Sequence, residues 1–228
     1  MKTMRLWMCV VCRLLFASGL YARKTGVLDE IVFGYSASEK KHGFSAKASQ
    51  VVTGGLGEEA RVLLPIPGER VEGGHITFTM KVDPEKQNYF TARFWGSDSG
   101  NSNILILFCE GKQIGYRHLG DYDVLDIANE DKPYPGRFTY TTLPLPISMT
   151  RGKKEIELSI RSTGRIFRYG ETFDAYQKVM EKPSKALYKG YTHTETCFQP
   201  SEKEKKQIEQ EVKVYMEDAE KADSDSYS

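Results

Sequence analysis

The sequence predicts a mainly β protein, a jelly-roll β-sandwich with short helices and one C-terminal amphipathic helix. Three observations predict it. Short apolar or alternating runs recur from about residue 44 to 162, turn residues separate these runs, and a sustained helical period occurs only near the C-terminus. With 228 residues, 39% of them hydrophobic and 11% aromatic, the chain has enough apolar material for one domain with an appendage.

Eight runs have the length and composition of strands, which is the strand number of a jelly roll. They are Phe44–Val52, Ala60–Leu64, His75–Val82, Tyr89–Trp95, Ile104–Cys109, Gln113–His118, Arg137–Leu143 and Glu155–Arg161. Between the fifth and sixth runs stand Glu110 and Gly111. Because a two-residue turn needs the positive φ that glycine adopts freely, we expect a tight hairpin there.

The run Tyr89–Trp95 presents two different faces, because alternate residues of a strand point to opposite sides of the sheet. One set is predicted to enter the core and consists of Phe90, Ala92 and Phe94. The other set is expected to form an exposed aromatic and basic stripe and consists of Tyr89, Thr91, Arg93 and Trp95.

The last part of the chain changes character. After Arg161 the sequence is rich in aromatic residues with short helical signals, and we expect it to wrap the sandwich. From Pro200 onward, Ser201 and Glu204 form a capping box ahead of apolar residues at helical spacing. The pattern predicts a helix over residues 201–221 that contributes little to stability, because its charged faces are broad. The domain organisation is then a sandwich module at 23–200 and an acidic helix with a disordered tail at 201–228.

The N-terminus has the layout of a secretory signal peptide. Lys2 and Arg5 precede an apolar run that ends at the small residues Ser18 and Gly19. The run is shorter than the roughly 20 apolar residues that a membrane anchor needs, and a buried strand is the other alternative. We expect residues 1–22 to be removed, no membrane span to remain, and the protein to be secreted, periplasmic or at the cell surface.

Charge limits the partners. The chain has 32 basic and 31 acidic side chains, so it lacks the basic excess that a nucleic-acid ligand requires. Residues 201–228 alone hold five basic and nine acidic side chains, so the tail is net negative. We therefore expect no nucleic-acid partner.

Several sequence blocks resemble one class of known protein. The blocks include Val82–Lys86, the segment NYFTARFWGSDSG that begins at Asn88, and the segment LFCEGKQIGYRHLGD that begins at Leu107. Over roughly residues 40–200 the chain resembles the β-sandwich ancillary modules of large secreted bacterial polysaccharide-degrading enzymes. The resemblance implies a galactose-binding-like jelly roll ahead of a larger catalytic domain. Since this chain stops after one helix, we expect a truncated product whose partner is a missing catalytic domain.

A carbohydrate site is predicted at one strand end. Sugar rings stack on aromatic side chains, while their hydroxyls need planar polar partners. Both kinds occur together at Tyr89, Arg93, Trp95, Asp98 and Asn101. The expected ligand is a polysaccharide or oligosaccharide. The alternative is that Trp95 packs as core beneath the following loop.

No catalytic residues are predicted. The segment Gly96–Gly100 has Asp98 at the central position, where a nucleophile elbow has serine. The histidines are scattered along the chain at His42, His75, His118 and His193. No cofactor is predicted either. Structural calcium is the one candidate, at Asp121, Asp123 and Asp126 or at Asp98 with Asn101, and neither set completes a calcium loop.

Two cysteines remain after loss of the signal peptide. Cys109 ends an apolar run and is predicted to be a buried, inert thiol, and its pairing with Cys197 stays open. For function, the sequence favours a noncatalytic carbohydrate-associated module of an exported glycan-degradation protein. The alternatives are a small or truncated glycoside hydrolase or polysaccharide lyase, and a surface protein-interaction module.

Overall fold

The computed structural model describes residues 26–68, 72–95, 104–118, 138–163 and 183–207, in which two antiparallel sheets pack face to face. Sheet A has the order β3-β4-β11-β6-β9, with β1 also paired to β11. Its strands are β1 Val27–Val32, β3 Ser49–Thr53, β4 Glu59–Leu63, β6 Asn88–Trp95, β9 Phe138–Leu145 and β11 Leu187–His193. Sheet B has the order β2-β5-β10-β7-β8. Its strands are β2 Ser45–Lys47, β5 Glu72–Lys81, β7 Ile104–Cys109, β8 Lys112–His118 and β10 Glu155–Thr163.

The helices that the described residues form are short and peripheral. The helix α1 spans Ser36–Lys41, α2 spans Ile147–Thr150, and a single 3-10 turn covers Gly55–Gly57. A further helical stretch begins after Ser201 and is described as far as residue 207. In the described ranges no helix has the length and apolar content needed to cross a bilayer. The predicted mainly β sandwich is thereby confirmed.

The core lies between the two sheets. It combines the inward face of β6 with residues of β1, β5, β7 and β10. The Phe33 and Phe78 rings meet edge to face with their centroids 5.3 Å apart, and Phe90 lies 6.1 Å from Phe78. Phe90, Ala92 and Phe94 are in this core, as the alternation predicts. Each buried aliphatic or aromatic side chain of this kind contributes about 1.5–3 kcal/mol to stability.

The hairpin between β7 and β8 has the predicted geometry. Glu110 and Gly111 have φ of 49° and 74°, so both turn residues are in the left-handed region. Cys109, immediately before the turn, is 0% exposed. Burial, together with the neighbouring Glu110 carboxylate, raises the pKa of the Cys109 thiol to about 11. The predicted inert thiol is therefore present, and the Cys109 and Cys197 thiols are both free.

The strand assignment differs from the sequence prediction in three places, the first of which is β1 at Val27–Val32, a strand that the sequence analysis does not predict. The run Phe44–Val52 divides at Ala48, whose φ is 48°, and the chain there leaves sheet B for sheet A. In addition β11, which we expected to be part of a wrapping segment, lies inside sheet A between β6 on one side and β1 and β4 on the other. Both faces of β11 are buried, so its sequence has none of the alternation that marks a half-exposed strand.

A second apolar cluster lies on the outer face of sheet A. It consists of Ala60, Val62, Trp95, Phe138, Ala186 and Tyr188. The turn at Gly54 and Gly55 lies directly over it. A Cβ on Gly55 would be 2.2 Å from Trp95 Cδ2, and the Gly55 N–H donates a 2.7 Å hydrogen bond to the Tyr188 hydroxyl. Only glycine permits this approach of the backbone to Trp95.

Candidate functional site

The outward face of β6, where the sequence predicts the carbohydrate site, is covered. Arg93 is 1% exposed, Trp95 is 8% exposed and Tyr89 is half-buried. The expected exposed stripe is therefore wrong. Two segments cover this face, the turn at residues 53–58 and a C-terminal segment at residues 194–207, which we call the strap. Trp95 packs edge to face on Phe138 at 4.7 Å, as the core alternative has it.

The guanidinium group of Arg93 is bound by other side chains of the same protein. Its Nη1 donates to Glu58 Oε2 at 2.7 Å, its Nη2 donates to Gln207 Oε1 at 3.1 Å, and its guanidinium lies 3.4 Å from the centroid of the Phe138 ring. Burial favours the neutral form, but the Glu58 carboxylate outweighs burial and raises the pKa of Arg93. Arg93 therefore remains charged and joins the strap to sheet A.

Glu204 anchors the strap a second time. The predicted capping box is present, since the Glu204 N–H donates to Ser201 Oγ at 3.3 Å and Glu204 Oε2 accepts from the Ser201 N–H at 3.1 Å. The other carboxylate oxygen accepts from the Tyr191 hydroxyl and from Lys189 Nζ at 3.2 Å. Because Glu204 is 4% exposed, the start of this helix is part of the folded structure. The small contribution of residues 201–221 to stability stays a prediction, and the burial of Glu204 argues against it.

Asp98 and Asn101 lie outside the described residues, as do Asp121, Asp123 and Asp126. The predicted loop contacts and the calcium candidates therefore stay predictions. Within the part of the chain that the structure describes, no group of three His, Cys, Asp or Glu side chains could hold a metal ion.

A pocket of about 310 Å³ opens where the strap leaves the sheet, and we call it the terminal pocket. It is lined by Gly26 and Val27 at the start of β1, by His193 at the end of β11, and by residues 195–200, 202 and 205 of the strap. The Thr194 N–H donates to the Gly26 carbonyl at 3.1 Å, which fixes the strap beside β1. Sites for small molecules typically measure about 300–1,000 Å³, so this pocket has the size of a small ligand site.

Phe198 forms the aromatic wall of the terminal pocket. Its ring packs on Tyr191 at 4.6 Å, on Tyr140 at 5.2 Å and on His193 at 5.2 Å. The strap therefore places Phe198 on aromatic residues of β9 and β11. The ring is half-buried, so part of it stays open to a ligand.

His193 also lines the pocket and is 1% exposed. Its Nε2 is 2.7 Å from Thr91 Oγ1, and its ring stacks on Tyr89 at 5.7 Å. Its Nδ1 has no well-formed hydrogen bond to any of the described residues. Burial lowers the pKa of His193, and the Glu195 backbone and carboxylate oppose this in part. His193 is therefore neutral at pH 7.

The rim of the pocket carries planar polar groups. Glu195, Gln199 and Glu202 are exposed, and Glu202 is paired with Lys205 Nζ at 2.9 Å. No ion pair of Glu195 occurs among the residues that the structure describes, and its side chain lies against Gly26. Cys197 is exposed on the same wall.

Three of the sequence-predicted site residues, Tyr89, Arg93 and Trp95, lie in the described ranges, and among these Tyr89 contacts a pocket residue, through its ring on His193. Sequence reasoning missed the terminal pocket because its walls come from both ends of the described chain. The usable signal was Phe198, an aromatic residue among polar residues directly after a strand.

Comparisons with known proteins give structural similarity alone. No protein-family model matches the chain, and no curated protein matches it significantly. The C-terminal CBM6 of LamC, a marine laminarinase from Zobellia galactanivorans, is 9% identical, with a TM-score of 0.40, over 72% of this chain and 98% of that module. A family 35 carbohydrate-binding module from an environmental isolate is 11% identical, with a TM-score of 0.39, over 76% of this chain and 98% of that one.

A third structure, the carbohydrate-binding module TmCBM27, described for specific mannan recognition, is 12% identical with a TM-score of 0.39. This match covers 73% of the present chain and 96% of that module. At such identities and TM-scores no ligand or residue role transfers to this chain. The function of this chain is therefore inferred from the geometry of the terminal pocket.

Proposed function

We propose that this protein is a noncatalytic carbohydrate-binding β-sandwich module that binds a sugar in the terminal pocket. The observation that carries the proposal is the combination of a half-buried aromatic ring, Phe198, with the exposed amide of Gln199 and the carboxylate of Glu195 around one pocket of about 310 Å³. Aromatic rings bind the C–H faces of sugars, and planar polar groups bind their hydroxyls.

The pocket supports this function because its aromatic wall is fixed before any ligand binds. Phe198 is held by Tyr191, Tyr140 and His193, so stacking a sugar on its free face orders no additional side chain. Affinity for small ligands depends strongly on avoiding such ordering costs. A prearranged ring therefore favours binding of a weakly interacting sugar.

A glycoside hydrolase is the second candidate, because Glu195 and Glu202 line the same pocket. Such enzymes use two carboxyl groups, one of which must hold a proton in a protected setting. The Glu202 side chain is 83% exposed and paired with Lys205, so it is poorly suited to the role of acid. We therefore favour sugar binding over sugar hydrolysis. An assay for release of reducing sugar from β-linked oligosaccharides tests whether the protein hydrolyses them.

The wider setting is part of the same proposal. The blocks that resemble ancillary modules of polysaccharide-degrading enzymes, together with the signal-like residues 1–22, support an exported module that works beside a catalytic domain. Mass spectrometry of protein from its native host tests the export step. Recovery of mature protein that still begins at Met1 would contradict it.

Isothermal titration calorimetry tests the binding function. The titrants are β-linked gluco-, galacto-, xylo- and manno-oligosaccharides, and the variants are Phe198→Leu and Gln199→Ala. Phe198→Leu keeps apolar packing but removes the ring, and we expect about tenfold weaker binding. The matched controls are Phe44→Leu and Gln50→Ala, which lie outside the pocket and should bind as the wild type does. The proposal would be contradicted if a control variant lost as much affinity as the matched pocket variant. It would also be contradicted if the wild type bound none of the oligosaccharides.

A further inference from the structure

The outward face of sheet B carries three basic side chains on neighbouring strands. Lys47 of β2 lies opposite His75 of β5, and Arg161 of β10 lies opposite the other side of His75. The next residues along two of these strands, Ile76 and Ile160, belong to the core, so the basic side chains point outward. We call Lys47, His75 and Arg161 the basic row. Because neighbouring strands are about 4.8 Å apart, the row is about 10 Å long.

The positive charge of the basic row is not neutralised within the protein. No ion pair of Lys47 or Arg161 occurs in the ranges that the structure describes. Burial lowers the pKa of His75, and the charges of Arg161 and Lys47 lower it further, while the charge of Glu72 opposes this in part. The two cations therefore outweigh Glu72 at this face, and an anion placed on the row would be attracted by both.

Arg161 is held in a fixed orientation by an aromatic ring. Its guanidinium lies over the Phe108 ring, 4.2 Å from the ring centroid. Arg161, Phe108 and His75 are half-buried and Lys47 is exposed, so each keeps part of its surface open to solvent. A planar guanidinium matches the paired oxygens of an oxyanion, and a fixed one loses little freedom when it binds. Arg161 is thus prearranged for an anionic ligand.

Hydroxyl groups lie beside the basic row. Thr77 and Thr79 follow His75 at alternate positions of β5, so they share its face, and Ser45 of β2 lies opposite Thr77. The threonines are half-buried and Ser45 is exposed. Hydroxyls both donate and accept hydrogen bonds, as the hydroxyls of a sugar do. The face therefore combines partners for an anion with partners for hydroxyls, and an acidic sugar contains both of these groups.

We propose that the outward face of sheet B is a second carbohydrate surface, which binds an acidic oligosaccharide with a carboxylate or sulfate group on the basic row. Lys47 and Arg161 bind the anionic group, and Ser45 and Thr77 bind neighbouring hydroxyls. This inference goes beyond the proposed function, because the terminal pocket is formed by β1, β11 and the strap, which contain no residue of this surface.

Calorimetry with matched ligands tests the charge preference. The titrants are oligogalacturonates, sulfated galacto-oligosaccharides and neutral galacto-oligosaccharides of the same length. In Arg161→Gln we expect about tenfold weaker binding of the acidic sugars, and in the exposed Lys47→Gln a several-fold loss, with neutral sugars unaffected in both. The matched control is Lys154→Gln, which changes the net charge equally at the opposite end of β10 and should bind as the wild type does. Circular dichroism checks that each variant is folded.

Proton NMR of His75 places the ligand on the row without relying on a loss of affinity. Its imidazole resonance, assigned by its loss in His75→Gln, is followed across pH with and without saturating sugar. An acidic oligosaccharide should raise the pKa of His75, because its negative charge opposes those of Arg161 and Lys47. A neutral oligosaccharide should leave the pKa unchanged.

Four results would overturn the second surface and leave the terminal pocket standing. The first is equal affinity of the wild type for acidic and neutral sugars, and the second is an unshifted pKa of His75 at saturation. The third is loss of acidic-sugar binding in Phe198→Leu but not in Arg161→Gln, which would place these sugars in the terminal pocket. The fourth is binding of inorganic sulfate as tightly as of the sulfated sugar, which would leave an adventitious ion only.

Discussion

The hydroxyl of Tyr191, a residue of β11 in sheet A, donates a hydrogen bond to the carboxylate of Glu204, which lies thirteen residues further along the chain. Tyr191 is 1% exposed and Glu204 is 4% exposed. The same carboxylate accepts from Lys189 and lies 3.8 Å from Arg93 Nε. One acidic side chain of the strap is therefore the common partner of three residues on sheet A.

The first prediction is that Glu204→Ala destabilises the whole domain. Removing one member of a buried charged group leaves the others unpaired and typically costs about 3–5 kcal/mol. In a chain of this size the melting temperature should fall by about 6–20 °C. Differential scanning calorimetry measures the change.

The control for this prediction is Glu202→Ala, two residues earlier, where the side chain is 83% exposed. Its loss should cost less than about 1 kcal/mol, because exposed ion pairs contribute little. Equal effects of the two substitutions would show that burial of Glu204 is unimportant.

The second prediction concerns pH. Burial by itself would raise the pKa of Glu204, but hydrogen bonds from Tyr191 and Ser201 and the charge of Lys189 outweigh it and hold the pKa below its ordinary value of 4.5. A carboxyl with a lowered native pKa stabilises the fold above the pKa it has in the unfolded chain. That stabilisation is lost as the pH falls through the native pKa.

Urea unfolding of wild type and Glu204→Gln at several pH values tests this linkage. The difference in stability between them should be largest near neutral pH and should shrink below about pH 4.5. Asp29 and Glu39 also have lowered pKa values, so some acid sensitivity should remain in the variant. A difference that does not depend on pH would refute the role given to Glu204.

The third prediction assigns Trp95 to the core. Trp95→Ala should cost about 3–5 kcal/mol, because it removes the ring that fills the space between Gly55 and Phe138. Tyr35→Ala, at a position that is 58% exposed, serves as the control and should change stability by less than about 1 kcal/mol. Chemical denaturation followed by circular dichroism compares them. A Trp95→Ala protein that folds with unchanged stability would contradict the core assignment and would again favour a role of Trp95 in binding carbohydrate.

Local patterns predicted much of the fold. The turn at Glu110 and Gly111 and the capping box at Ser201 and Glu204 each depend on residues close together in sequence, and both have the expected geometry. The inward face of β6 was likewise readable from its alternation.

The burial of the outward face of β6 could not be predicted from the sequence, because the segments that pack on this face are distant from β6 along the chain. Arg93 meets Glu58 across 35 positions and Gln207 across 114. Alternation shows which side chains share a face but not whether another segment lies over it. The same separation hid the terminal pocket, whose walls join Gly26 to the strap.

The most direct test of a sugar site in the terminal pocket uses its own thiol. Cys197 is exposed on the pocket wall, whereas Cys109 is buried with a pKa of about 11 and serves as an unreactive reference within the fold. Iodoacetamide labelling, read by peptide mass spectrometry, is timed with and without the neutral oligosaccharide that binds most tightly in calorimetry. At ten times the Kd of that sugar, labelling of Cys197 should slow about tenfold, because only the free protein reacts. An unchanged labelling rate at a concentration where calorimetry shows saturation would place the sugar elsewhere and contradict the account.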